Sequence, residues 1–141
     1  LLLLETAVVV VLGTVVTSTG PHGGSPGAKR LHLSLHDVAQ LHGAAVELLV
    51  LLTLVTLWWL ARSGAPRSVM RRGTILLVAM VAQGAVGYAQ YFTGDPAGAV
   101  AIHIAGAVVV IVAVLRFYFG LTGRAVEGPT GPAPRPAALV A

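Results

Sequence analysis

Residues 38–61, VAQLHGAAVELLVLLTLVTLWWLA, decide how the chain is read. The run is apolar almost throughout and holds one charged residue, Glu47, so a helix built on it has no polar face to turn toward water. Its length suits the roughly 20 residues that a helix needs to cross about 30 Å of hydrocarbon. Three further runs of this kind lie at 1–17, 73–92 and 96–115, and Glu5 is the only other charge inside any of them. The chain is predicted to be all-α, an integral membrane antiparallel four-helix bundle.

Composition supports this reading from outside the runs. Nine Lys or Arg and five Asp or Glu in 141 residues make the chain 10% charged and 56% hydrophobic, against about 25% charged for a soluble domain. That is too few polar groups to cover a water-facing surface, which excludes a soluble globular enzyme. Disorder is excluded by the abundance of large aliphatics. The absence of cysteine excludes a disulfide scaffold, a thiolate metal site and a Cys nucleophile within these residues. A net charge of +4 does not point to nucleic acid, because the basic residues form no stripe interleaved with exposed aromatics. The expected partner is the lipid bilayer.

The connections carry the polar residues. Residues 18–37 are rich in Gly, Pro and His, 62–72 are short and basic, 93–95 form a tight turn, and 116–141 are rich in Pro and Gly. The four-helix unit is expected over 1–119, with a disordered cytoplasmic tail over 120–141. Arg62, Arg67, Arg71 and Arg72 fill the second connection, and Arg116 and Arg124 follow the fourth run; the first connection has only Lys29 and Arg30. The excess of positive charge puts the second connection and the C-terminus in the cytoplasm, with loops 18–37 and 93–95 outside. Trp58, Trp59, Phe117, Tyr118 and Phe119 would mark the cytoplasmic interface, and Tyr91 and Phe92 the outer one. The chain opens on Leu1-Leu2-Leu3-Leu4 instead of Met, which reads as a piece of a longer protein.

Polar groups inside a span are costly and point to function. His42 lies roughly 6 Å into the second run and His103 roughly 10 Å into the fourth, counting about 1.5 Å per residue, both in the outer leaflet. Ala39, Ala45 and Val46 share a helix face with His42, and Ala99, Gly106 and Ala107 share one with His103; neither face carries a carboxylate. Two neutral imidazoles at one depth on diagonal helices suit the axial positions of a haem iron, whereas zinc wants a third or fourth ligand. The other reading is that each histidine only hydrogen-bonds between helices. Lys29 and Arg30 are either solvated loop charges or partners for two carboxylates of a haem edge. Gln83 and Gln90 share a face with Gly87 between them and either tie helices together or, for Gln83, reach a bound cofactor. His36 is an interfacial residue or lines an entrance, and His22 and His32 are loop residues. Glu47 points away from His42, toward a contact with another protein half, a proton-carrying role or a protonated carboxyl.

The ordered series GTVVTSTGPHG at 13–23, AQLHGA at 39–44, AQGAVGY at 82–88, QYFTG at 90–94 and IHIAGA at 102–107 resembles the haem A synthase family, most of all its actinobacterial type, over about residues 1–118. That family has eight transmembrane helices in two pseudo-symmetric halves, each with a histidine pair on its second and fourth helices. The resemblance implies that this chain is the C-terminal half in a bacterial cell membrane, with His42 and His103 as the axial ligands of a haem b that passes electrons. It implies an N-terminal half or a second copy as partner, haem O as substrate and haem O synthase as a further partner. The family is an oxidoreductase that converts the C8 methyl of haem O to a formyl group, giving haem A for cytochrome c oxidase. The substrate half of the family carries a glutamate three residues before its second-helix histidine; here that position is Ala39, which fits the cofactor half and leaves catalysis to the other. No catalytic residue is assigned in this chain. A stand-alone b-type electron-transfer cytochrome, and a non-haem membrane protein whose histidines bridge helices, are the competing readings.

Overall fold

The computed structural model describes residues 1–22, 27 and 29–123, and the described residues contain helices and no strand. α1 is Leu2–Thr19, α2 Leu35–Arg62, α3 Arg67–Phe92 and α4 Ala97–Thr122. All four are long and apolar enough to cross a membrane. Each helix packs on its neighbours in chain order and α4 closes back on α1, while α1 and α3, like α2 and α4, do not approach backbone to backbone among the described residues. The result is a four-helix membrane bundle with its second and fourth helices on a diagonal.

The helices overrun the apolar stretches. α2 begins at Leu35, where Ser34 accepts a hydrogen bond from the Asp37 amide at 3.3 Å, a standard way to satisfy an orphan amide of the first turn. α3 begins at Arg67, so Arg67, Arg71 and Arg72 belong to a helix and only a short turn separates α2 from α3. Nothing between Arg67 and Gly73 breaks a helix, and backbone hydrogen bonding continues past the edge of the hydrocarbon. At the other end α4 runs on to Thr122. Residues 120–122, expected to open the tail, are therefore helical: Phe117 is wholly buried and holds this stretch against the bundle, and the helix stops at Gly123. The rest of the expected tail, 124–141 with Arg124, lies outside the described residues.

Two turns are built alike. In Ser63-Gly64-Ala65-Pro66 and Thr93-Gly94-Asp95-Pro96 the glycine has φ +70 and +80, the left-handed region where a Cβ is penalised. The Ala65 amide donates to the Leu60 carbonyl at 3.0 Å and the Asp95 amide to the Gln90 carbonyl at 2.9 Å. Gly64 and Gly94 add the inner bonds to Ala61 and Tyr91. This is the Schellman closure, with proline next because it cannot extend the helix it ends. Ser63 Oγ donates to the Trp59 carbonyl at 2.8 Å and Thr93 Oγ1 to the Ala89 carbonyl at 2.7 Å.

A separate likeness relates α1 to α3 and α2 to α4. One constant shift places Leu2, Thr6, Val9, Gly13, Thr19 and Gly20 of the α1 segment on Leu76, Met80, Gln83, Gly87, Thr93 and Gly94 of the α3 segment. A second shift places His42, Ala45 and Thr53 of α2 on His103, Gly106 and Val114 of α4. Burial follows the match: Thr6 and Met80 are both buried, and Thr53 and Val114 are 0% and 1% exposed. By this match α1–α2 and α3–α4 read as two related hairpins, each carrying one of the histidines. Too few residues are identical for the sequence alone to disclose this.

The two ends are filled differently. Leu49, Leu57, Leu76, Val114 and Phe117 anchor one core, toward the α2–α3 turn and its arginines. Between helices in lipid such a core holds by van der Waals packing, since lipid tails are as apolar as the side chains. Toward the other end, where His42 and His103 lie, Gly20 and Ala45 are the fully buried residues among those described, and the larger side chains, His42, Gln83 and His103 with them, are only half-buried.

Candidate functional site

His42 lies about 10 Å along α2 from Leu35, and His103 about 9 Å along α4 from Ala97, at about 1.5 Å per residue. The two levels agree more closely than the apolar runs suggested, because α2 starts earlier than its run does. Both side chains are half-buried. Their helices do not approach backbone to backbone, so the space between the imidazoles is bounded by α1 and α3.

Each ring rests on a glycine of the neighbouring helix. A Cβ added at Gly13 of α1 would stand 3.2 Å from Cε1, 3.7 Å from Nδ1 and 3.8 Å from Nε2 of His42. A Cβ at Gly87 of α3 would stand 2.9 Å from Cε1, 3.4 Å from Nδ1 and 3.7 Å from Nε2 of His103. The order of atoms is the same, so both rings cover their glycines with the same edge. Gly13 and Gly87 are equivalent positions of the repeat, which makes the two seats one feature used twice.

The nitrogens are treated differently. Gln83 Nε2 lies 3.1 Å from His103 Nδ1 and donates to the His103 carbonyl at 2.6 Å. His42 Nδ1 is buried without a hydrogen-bond partner, although the Val9 backbone approaches the ring.

Other residues singled out in the sequence fall outside this pair. Arg30 donates to the Gly20 carbonyl, so its cation caps the C-terminus of α1, and Lys29 beside it is exposed. Gln90, one face with Gln83, turns to the α3–α4 turn and donates to Asp95 Oδ1 at 2.9 Å. His36 pairs through Nδ1 with the Tyr91 hydroxyl at 2.9 Å and so ties α2 to α3. His22, His32 and Glu47 are exposed. Two participants were not legible in the sequence, Gly13 and Val9, since a glycine or valine in an apolar helix gives no sign of which neighbour it meets. The one signal was the match of Gly13 with Gly87, which already stood between two glutamines.

Among the described residues no three of His, Asp and Glu gather in one place. A macrocyclic iron brings its own equatorial nitrogens and asks the protein for two axial ligands. Two imidazoles on diagonal helices, each seated on a glycine of the neighbouring helix, fit that demand. No protein-family model, curated protein or solved structure matches the chain.

Proposed function

We propose that the chain is a haem b-binding membrane unit, with His42 and His103 as axial ligands, that passes electrons as the C-terminal half of a haem A synthase. The observation that carries the reading is the pair of imidazoles, each seated on the equivalent glycine of its hairpin, at the end of the bundle where the packed core is missing. In this reading the arginine end faces the cytoplasm, given the excess of Arg62, Arg67, Arg71, Arg72 and Arg116 over Lys29 and Arg30. The N-terminal half or a second copy is the partner, and haem O, whose C8 methyl becomes a formyl group, is the substrate of the partner half.

Bound haem b supplies one-electron chemistry. The chain's own residues would do the rest: His42 and His103 would hold the haem iron through their ring nitrogens, Gly13 and Gly87 let the rings sit flush on α1 and α3, and the aliphatic surroundings would keep water away from the site, a lever on potential. Ala39, one turn before His42, offers no carboxylate for acid or base work. That single residue also favours a second reading, a stand-alone b-type cytochrome.

Optical spectra of the chain loaded with haem b test the ligands. A six-coordinate low-spin spectrum is expected, with conversion to high spin or loss of haem in both His42→Ala and His103→Ala. Unchanged spectra in both variants refute the assignment. Haem O oxidation when the chain is combined with a partner half separates the synthase from the cytochrome.

A further inference from the structure

We propose that Gln83 is the positioning residue for His103 and that it makes the two imidazoles inequivalent, an inference that rests on the haem reading for its effect on the cofactor but not for its effect on the histidine. The internal repeat sets the comparison. Gln83 of α3 occupies the place that Val9 holds in α1, each one turn before its glycine seat. The two hairpins therefore offer their histidines the same seat but different neighbours at Nδ1. On the α3–α4 side the Gln83 amide bridges His103 Nδ1 at 3.1 Å and the His103 carbonyl at 2.6 Å. Its Oε1 packs against Gly106 on α4, where any side chain would displace it. On the α1–α2 side His42 Nδ1 has no hydrogen bond, and Val9 has no polar side chain to offer one.

The amide fixes more than the ring's angle. With its NH2 group toward His103, Nδ1 accepts a hydrogen bond and the ring proton resides on Nε2. An imidazole that gives its Nε2 lone pair to a metal carries the proton on Nδ1, and the group facing it must then accept. Gln83 can meet either requirement, because one end of the amide donates and the other accepts. Rotation about its last torsion exchanges them, and gives up the bond to the His103 carbonyl, which only the NH2 end can make. The Val9 side chain can meet neither, and what Val9 brings to the His42 ring is its backbone, whose carbonyl can accept but not donate, so His42 is held by the glycine seat and that backbone. Loss of an outer partner of this kind typically costs about 10- to 100-fold in metal affinity.

The experiment compares Gln83→Leu, Gln83→Glu and Val9→Gln with the unaltered chain in two states. In the haem-free chain, ¹⁵N NMR of the histidine rings reads the tautomer. His103 is expected as the Nε2–H form with an accepting Nδ1, Gln83→Leu moves its resonances toward the unbonded average, and His42 does not move. In the chain loaded with haem b, Gln83→Leu is expected to release haem about ten-fold faster and to shift the low-spin electron paramagnetic resonance signal, while Gln83→Glu restores much of both. Val9→Gln is expected to slow release. Unmoved His103 resonances together with an unchanged release rate in Gln83→Leu overturn the proposal. If the unaltered chain binds no haem but the His103 resonances still move, the haem reading fails and the positioning role stands.

Discussion

Replacing Gly87 by alanine adds one methyl group at the place where the His103 ring rests. The new Cβ would lie 2.9 Å from Cε1, whereas carbon atoms in good contact sit about 3.5 to 4.0 Å apart. The ring must withdraw by at least about 0.6 Å, and Gln83 holds the residue that has to move through its bonds to His103 Nδ1 and the His103 carbonyl. Overpacking of this kind costs about 1–3 kcal/mol, which corresponds to about 5- to 150-fold weaker haem binding if the whole cost falls on the bound geometry. Gly13→Ala gives an internal scale. Its Cβ would lie 3.2 Å from His42 Cε1, a shortfall of about 0.3 Å on the same contact range, so its effect should be smaller. Titration of the purified chain with haem b, monitored by absorbance, gives both affinities, and thermal unfolding of the haem-free variants shows whether the bundle itself has suffered. Wild-type affinity and spectrum in Gly87→Ala, or a larger loss in Gly13→Ala than in Gly87→Ala, would refute the idea that glycine seats the ring.

Three other substitutions probe separate parts of the bundle. Gly73→Ala places a Cβ against Leu57 and 2.9 Å from Phe117 Cε2, so it should destabilise the arginine end by about 1–3 kcal/mol in unfolding experiments while leaving the haem spectrum unchanged. Glu47 is exposed on a membrane-crossing helix, and Glu47→Leu should raise the thermal midpoint of the isolated chain; a lower midpoint would mean that the carboxylate has a structural partner. His36→Phe should cost about 0.5–1.5 kcal/mol by removing the Tyr91 hydrogen bond, and a double-mutant cycle with Tyr91→Phe should show the two losses to be one.

The four spans are legible because hydropathy is a local property of the chain, and so are His42 and His103, which stand out as ionisable groups in apolar helices. The ends of the helices are not. Arg67, Arg71 and Arg72 mark where water begins, and their charge suggests a loop although nothing in Arg67–Gly73 interrupts backbone hydrogen bonding. Residues 120–122 mislead for the opposite reason: glycine and proline dominate the chain beyond them, whereas the helix up to Thr122 is held by the packing of Phe117. Gln83 is legible as an intramembrane amide, but its partner depends on how α3 packs on α4. Arg30 shows the same limit. A loop cation looks free to meet a ligand's carboxylates until its contact with the Gly20 carbonyl is seen.

The uneven filling of the bundle bears on how the protein is made. The interlocked leucines, Val114 and Phe117 near the arginine end need nothing from outside the chain, so the four helices can assemble in the bilayer as soon as they are inserted. The histidine end, with alanine its largest buried side chain, contributes little to that assembly. Under the proposed haem reading, biogenesis would divide into an early step that depends only on the polypeptide and a late step that depends on the supply of haem, and a cell short of haem would accumulate a folded apoprotein.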